Sequence, residues 1–323
     1  MERPELSVLI PVFNEAASVA ELHRRVTAAV APLGGAYEIL FIDDGSTDGT
    51  AAELEACAAG DPRLRAIVFR RNFGKAAALA VGFREVRGER VATLDGDLQD
   101  DPAEIPGMLA ALDQGYDMVS GWKRRRRDPW TKRWPSRVWN WMTARATGIP
   151  LHDFNCGFKV YRREVVETVR LYGELHRYIP VLADRLGFRV GEREVRHHPR
   201  AHGRSKYGGA RFLNGFLDLL TVTFLGSSQR KPLHVFGRIG AACLAAGMLI
   251  NAYMAGVWIV ERALRVRPLL IGGVILVILA VQFISMGLLA EMIASAQREQ
   301  QVYPVRRRLP PDPSGPATKG GRE

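Results

Sequence analysis

Oxygen-bearing side chains gather in three short runs of this chain: Asn14 and Glu15, then Asp43 to Thr50 (DDGSTDGT), then Asp95 to Asp100 (DGDLQD). An Asp-x-Asp-x-Gln turn offers hard oxygen ligands, which suit Mg2+ or Mn2+ bridging a diphosphate and do not suit zinc. Three acidic runs brought to one place would repel each other unless a cation or a set of donors joined them. Asp95 and Asp97 therefore read as a metal pair, whereas Asp48 and Asp100 read as caps of the helices that follow them. His176, His197, His198 and His202 match no standard ligand spacing. The three cysteines, Cys57, Cys156 and Cys243, are too far apart for a CxxC pair and fit a reducing compartment.

The elements that must carry these runs are short apolar stretches rich in Val and Ile, at residues 6–11, 38–42, 64–69 and 90–94. Helix-like stretches at 16–31, 50–59 and 75–86 alternate with them. Strands alternating with helices predict a mostly parallel sheet covered on both faces, with ligands beyond the carboxyl ends of the strands. The acidic runs fall at those ends.

With 323 residues, 47% hydrophobic and 24% charged, the chain is neither disordered nor collagen-like nor a polytopic transporter. Its net charge of +11 points to a polyanionic partner. Residues 122–137 (WKRRRRDPWTKRWPSR) hold eight basic residues and one acid, so most of the excess is local. Five of the six tryptophans lie between Trp122 and Trp141, a mixture expected at lipid headgroup depth. The N-terminus reads as no signal peptide, because its apolar run meets Pro11. Residues 239–260 and 268–290 carry no formal charge, and each run reaches roughly 33 Å as a helix, enough to span a bilayer. Their outer flanks hold seven Lys and Arg against three in the connection, which places both flanks and the soluble region in the cytoplasm. Small residues such as Gly240, Ala245, Gly272 and Gly287 would let the two helices pack closely. The apolar stretch 212–225 reads as a helix lying on the membrane.

PVFNE, DDGSTDGT, RNFGK at 71–75 and DGDLQDDP at 95–102, in this order and spacing, resemble the family-two inverting glycosyltransferases of the GT-A fold. LHDFNCGFKVYRREV at 151–165, HGRSKYGG at 202–209 and the paired apolar runs resemble the dolichyl- or polyprenyl-phosphate branch, similar to dolichol-phosphate mannose synthase. The resemblance spans roughly residues 5–295. It implies a cytoplasmic GT-A domain over 1–208, containing a basic, Trp-rich interfacial segment at 122–147. A juxtamembrane amphipathic helix at 209–232, a two-helix hairpin at 233–295 and a disordered basic tail at 296–323 follow.

The implied reaction moves a sugar from a UDP- or GDP-sugar to a polyprenyl phosphate with inversion, using Mg2+ or Mn2+. In this reading Pro11, Phe13, Glu15, Ile42, Asp43, Asp44, Asp95 and Gly96 hold the nucleotide sugar. Asp95, Asp97 and Gln99 hold the metal, and Arg200 and Lys206 clamp the diphosphate. Lys123, Arg124, Arg133 and Ser136 meet the acceptor phosphate. Asp97 and Asp153 stand at the reacting centre, Asp153 as an orienting or catalytic carboxylate, because a lipid phosphate is already an anion at pH 7 and needs no general base. The partners are a nucleotide sugar, a polyprenyl phosphate and membrane lipid, with room for a homo-oligomer and none for nucleic acid. The protein would be an integral membrane protein, in the inner membrane if bacterial. The alternative is a same-fold enzyme with another lipid or glycan acceptor; the QxxRW motif usual in processive synthases is absent. A non-catalytic scaffold is disfavoured by the intact acidic and basic motifs.

Overall fold

The apolar stretches form strands almost where their composition places them. In the computed structural model β1 is Leu6–Val12, β2 Tyr37–Asp43, β3 Leu64–Phe69 and β4 Arg90–Thr93. The helices between them are α1 (Ala16–Val30), α2 (Thr50–Gly60) and α3 (Lys75–Glu85). Further along come α4 (Ile105–Leu112), β5 (Met118–Trp122), β6 (Lys159–Arg162), α5 (Arg163–Thr168), α6 (Ile179–Arg185), β7 (Val190–Glu194) and β8 (Val305–Leu309). The structure describes residues 3–124, 140, 141, 143–145, 147–171, 175–199, 278, 289 and 305–309.

Among these residues the sheet has the order β7-β5-β6-β4-β1-β2-β3-β8. β4, β1, β2 and β3 are parallel neighbours, β5 and β7 pair in parallel, and β6 and β8 run antiparallel to their neighbours. The chain leaves β1 towards β2 and β3 on one side and returns to β4 on the other. That reversal opens a crevice between the carboxyl ends of β1 and β4.

Both faces of the sheet are covered, which is why the inner strands read as continuous apolar runs rather than alternating ones. On one face Val8, Ile10, Val12, Ile39 and Phe41 pack with Val19, Leu22 and Val26 of α1 and Met108 and Leu112 of α4. On the other, Leu9, Leu40, Ile42, Ile67 and Phe69 pack with Leu79 and Phe83 of α3 and Val165 of α5. Each such Leu, Ile or Phe, fully buried, contributes ~1.5–3 kcal/mol. These two layers fix the strand ends from which the acidic runs emerge.

β8 corrects one expectation. The tail at 296–323 was expected to lack fixed structure, yet Val305–Leu309 pairs antiparallel with the edge strand β3, Ile67 opposite Arg308. A strand edge offers unpaired backbone groups to any extended segment, even one rich in Arg. Contacts divide the chain into Met1–Asp218 with Gln301–Glu323, and a second unit, Leu219–Gln300. In the second unit the described residues are Ile278 and Leu289, both helical and exposed. The apolar runs 239–260 and 268–290 and the stretch 209–232 otherwise lie outside the described residues. Among the described residues no helix is long and apolar enough to cross a membrane.

Candidate active site

The loop after β4 shows an alternation that its sequence only hints at. Asp95, Asp97 and Gln99 are partly exposed, while Gly96, Leu98 and Asp100 between them are buried. The three oxygen-bearing side chains are thus the more exposed members of a turn whose alternate residues are buried. The turn is made at Leu98, whose φ of 59° lies in the left-handed region that a bulky residue rarely adopts. Such a conformation costs on the order of 1–3 kcal/mol and persists only where surrounding contacts hold it. Gln99 N–H donates to Asp97 Oδ1 at 3.2 Å, one of those contacts.

Asp95 sits beside β1, one residue beyond the Leu94 N–H that donates to Leu9 O. Its carboxylate pairs with Lys75, the first residue of α3. It occupies the space that a side chain at position 157 would fill, since a Cβ on Gly157 would stand 2.2 Å from Asp95 Oδ1. The glycine of the HDFNCGFK motif is therefore a cradle for the Asp95 carboxylate. Among the described residues no three His, Cys, Asp or Glu side chains converge as a closed metal site. An Mg2+ or Mn2+ ion held by one or two carboxylates, an amide oxygen, water and substrate phosphates asks for no closed cage, and the partly exposed set Asp95, Asp97 and Gln99 fits it.

The second acidic run divides its labour. Asp44 reaches the neighbouring loop: its Oδ1 accepts Phe73 N–H at 2.7 Å, and its Oδ2 accepts Gly74 N–H and Asn72 Nδ2, each at 2.9 Å. Asp44, expected at the nucleotide, thus also holds the RNFGK loop in place. Gly45, at φ 70°, makes the tight approach possible; a Cβ there would stand 2.3 Å from the Arg71 carbonyl carbon. Asp43 is different. Its Oδ1 accepts from the Ser46 N–H and hydroxyl, but its buried Oδ2 has no hydrogen-bond partner among the described residues. Burial pushes the pKa of both carboxyls up, for Asp44 with Asp43 beside it adding to the rise.

Ile42, expected at the nucleotide, is fully buried in the α3-side core. Pro11, Phe13 and Glu15 do lie at the crevice and are partly exposed. The loop that carries them is stitched to the 46–50 turn. Asn14 N–H donates to Ser46 Oγ at 2.8 Å, Thr47 N–H to Asn14 Oδ1 at 2.9 Å, and Glu15 N–H to Thr50 Oγ1 at 3.0 Å. Asp48 accepts the first backbone N–H of both α1 and α2, from Ala16 and Thr50, and so caps helices as expected. Gly96 approaches β1 closely, where a Cβ would meet Val12 Cγ1 at 2.7 Å.

Asp153 is buried, and its Oδ1 accepts Asn155 N–H at 3.1 Å. Its position is set by Glu192 of β7, which accepts the N–H groups of His152 and Asp153. Beside it Lys159 is buried and donates to the Cys156 carbonyl; burial lowers its pKa, with Asp153 and Asp95 close enough to oppose that shift. Burial pushes the Cys156 thiol up to about 12, in keeping with a small packed residue.

Lys123 and Asp100 form an ion pair that their sequence context does not announce. Lys123, expected at the acceptor phosphate, keeps a side chain 11% exposed and pairs with Asp100 at 2.7 Å, and His197 Nδ1 lies 3.9 Å from the same oxygen. Burial alone would raise Asp100, yet Lys123 and His197 outweigh it and hold the carboxyl well below the usual range. Asp100 caps no helix; Asp101 accepts Ala103 N–H in that role. Arg124 is exposed, lies over the Trp122 ring and pairs with Glu194. Arg133, Ser136, Arg200 and Lys206 lie outside the described residues.

Residues that the sequence reading passed over thus surround those it chose: Lys75, Gly157, Lys159, Glu192 and His197. Lys75, Gly157 and Lys159 stand inside recognised motifs, which was the available signal. Glu192 sits in a polar edge strand that carries none.

Residues 7–170 match Glycosyl transferase family 2. The dodecaprenyl-phosphate galacturonate synthase of Rhizobium johnstonii is 39% identical over 306 residues, covering 93% of this chain and 90% of that protein. The undecaprenyl-phosphate 4-deoxy-4-formamido-L-arabinose transferase of Pseudomonas paraeruginosa is 37% identical over 302 residues, covering 93% and 88%. Among solved structures, glucosyl-3-phosphoglycerate synthase of Mycobacterium tuberculosis in complex with Mg2+ and UDP superposes with a TM-score of 0.54 at 22% identity, over 68% of this chain and 79% of that one. That likeness shows the GT-A arrangement of the sheet. The matched residues contain the carboxyl ends of β1 and β4 between which the crevice lies, and the chain belongs to glycosyl transferase family 2.

Proposed function

We propose that this protein transfers a sugar from a nucleotide-sugar donor to a polyprenyl phosphate, with inversion and with a divalent cation, at the cytoplasmic face of a membrane. The observation that carries the reading is the placement, at the carboxyl edge of one sheet, of a buried acceptor with no hydrogen-bond partner among the described residues, Asp43 Oδ2, and three partly exposed oxygen-bearing side chains, Asp95, Asp97 and Gln99. A buried acceptor left without a donor costs about 1–3 kcal/mol, which a nucleobase N–H or a ribose hydroxyl would offset. The acceptor class is supported by the relatives, which are named for transfer to dodecaprenyl and undecaprenyl phosphates.

Phe13 and Glu15 border the nucleotide, and Asp43 accepts from it. Asp95, Asp97 and Gln99 hold the cation, which stabilises the departing diphosphate. Lys75 keeps Asp95 turned to its cradle, and Arg200 and Lys206 clamp the diphosphate. The acceptor phosphate is steered by Arg124, Arg133 and Ser136. One of its oxygens forms the new bond to the anomeric carbon as the bond to the nucleotide diphosphate breaks, and the electron pair leaves with the diphosphate. No proton must be removed from the nucleophile, so Asp153 orients the reacting groups.

Membrane attachment rests on the two uncharged runs, 239–260 and 268–290. Strand β8 supports an even number of crossings, because a chain that leaves the catalytic unit after Asp218 and rejoins the same sheet at Val305 must end on the side where it began. The test is to incubate membranes containing the protein with polyprenyl phosphate, Mg2+ and a panel of labelled nucleotide sugars. One donor is expected to label the lipid, and Asp97→Ala to abolish it. Labelling by no donor, or equal labelling by Asp97→Ala, contradicts the proposal.

A further inference from the structure

Three segments meet at the buried Asp100 carboxylate: the metal-motif loop, the exit of β5 and the extension of β7. Lys123, the residue after β5, pairs with it at 2.7 Å, and Asp100 forms an antiparallel bridge with His197. The bridge is reinforced on both sides. His198 N–H donates to Gln99 O at 2.8 Å, His198 Nε2 lies 3.3 Å from Asp101 Oδ2, and Arg196 pairs with Glu104 at 3.3 Å. Val195 N–H donates to Trp122 O at 3.0 Å, which ties the β7 extension to β5 as well.

These contacts answer a mechanical need. Leu98 holds a left-handed conformation that, left to itself, would relax and swing Asp97 and Gln99 away from their present positions. The residue that anchors the loop immediately beyond the strained position is Asp100. Two residues past His198 the chain reaches Arg200, the first of the two proposed diphosphate clamps.

We propose that Asp100 is a positioning residue whose buried ionic contact with Lys123, together with the bridge to His197, locks the metal-motif turn to the exit of β5 and the extension of β7. The metal dependence of nucleotide binding is then set by a knot built from residues outside the proposed ligand set. The proposal rests on the metal-dependent donor site proposed above.

The experiment is titration calorimetry of the full-length protein with UDP and with GDP at stepped Mn2+ concentrations, alongside thermal melting. For Asp100→Asn the Mn2+ concentration giving half-maximal nucleotide affinity rises at least tenfold. Because that variant leaves Lys123 buried without its partner, Asp100→Asn with Lys123→Met is measured in parallel. The double variant regains the melting temperature of the wild type and keeps the weakened Mn2+ dependence. Arg65→Met, which breaks a buried pair at the opposite end of the sheet, lowers the melting temperature and leaves the Mn2+ dependence unchanged. A double variant with wild-type Mn2+ dependence, or an Arg65→Met variant shifted as much as Asp100→Asn, overturns the positioning role. A wild type that binds neither nucleotide in an Mn2+-dependent way overturns the donor site itself, a separate result.

Discussion

The two ends of strand β2 bury carboxylates five residues apart and treat them in opposite ways. At the amino end Glu38 is closed in on every side: Ser7 Oγ and Arg87 N–H donate to Oε1, each at 2.6 Å, and Arg65 Nη1 donates to Oε2 at 3.0 Å. Ser7 Oγ in turn accepts Gly88 N–H at 2.7 Å, and Arg65 also donates to the Glu85 carbonyl at 3.2 Å. At the carboxyl end Asp43 has one oxygen matched and the other buried with no hydrogen-bond partner among the described residues. Folding alone is served by the first arrangement. The second retains an unmet acceptor, the kind of local inconsistency expected where a ligand completes the structure.

Breaking the closed end has the largest expected effect. Arg65→Met leaves Glu38 buried with its ionic partner gone, and the protein should lose about 3 kcal/mol of stability. Thermal melting measures the loss, while nucleotide affinity stays that of the wild type. A change in affinity as large as the change in stability would erase the distinction between the two ends.

Acid should separate the ends next. Asp61, just before β3 at the closed end, is opposed by burial, but hydrogen bonds from Arg63 and His23 lower its pKa to about 2. Because this lies below the unfolded value of about 3.9, its contribution of up to about 2 kcal/mol is complete above that pH and is lost as pH falls towards 2. Asp43 has the opposite sign. Its raised pKa means that ionisation opposes folding, so its share of stability is present at low pH and lost as pH rises through the folded value. Melting curves against pH should therefore show a shallower acid limb in Asp61→Asn and gain stability near neutrality in Asp43→Asn.

A smaller effect is expected at the cradle. In Gly157→Ala the new methyl group meets the end of a movable side chain, Asp95, so the fold is kept while the carboxylate is displaced. Transfer to lipid phosphate should fall about tenfold, equivalent to about 1.4 kcal/mol, and the Mg2+ requirement should rise. Unchanged activity would remove Asp95 from the metal set.

The same contrast explains what the sequence made legible. β1 to β4 and α1 to α3 were readable because buried parallel strands are uninterrupted apolar runs bounded by turn residues. β6 begins with a buried lysine and β7 reads VGERE, an edge strand with little apolar content, so neither announced itself. β8, VRRRL, looks like a solvated charge run and is a strand only because β3 offers it an open edge. In the site, type and spacing single out residues that the structure leaves partly exposed at turns, such as Asp95, Asp97 and Gln99, and do not single out the buried contacts that hold those turns. Lys123 looks like any other member of a basic run until Asp100 is brought beneath it, and Asp44 cannot be told from Asp43 until the loop at 72–74 folds over its oxygens.

Nucleotide binding to the unmatched oxygen at the carboxyl end of β2 tests the central claim most directly. Titration calorimetry with UDP and GDP in saturating Mg2+ should find one nucleotide bound by the wild type, bound at least tenfold more weakly by Asp43→Asn, and bound normally by Arg65→Met. Equal affinity in the wild type and Asp43→Asn would contradict the account, because the buried acceptor would then serve no ligand.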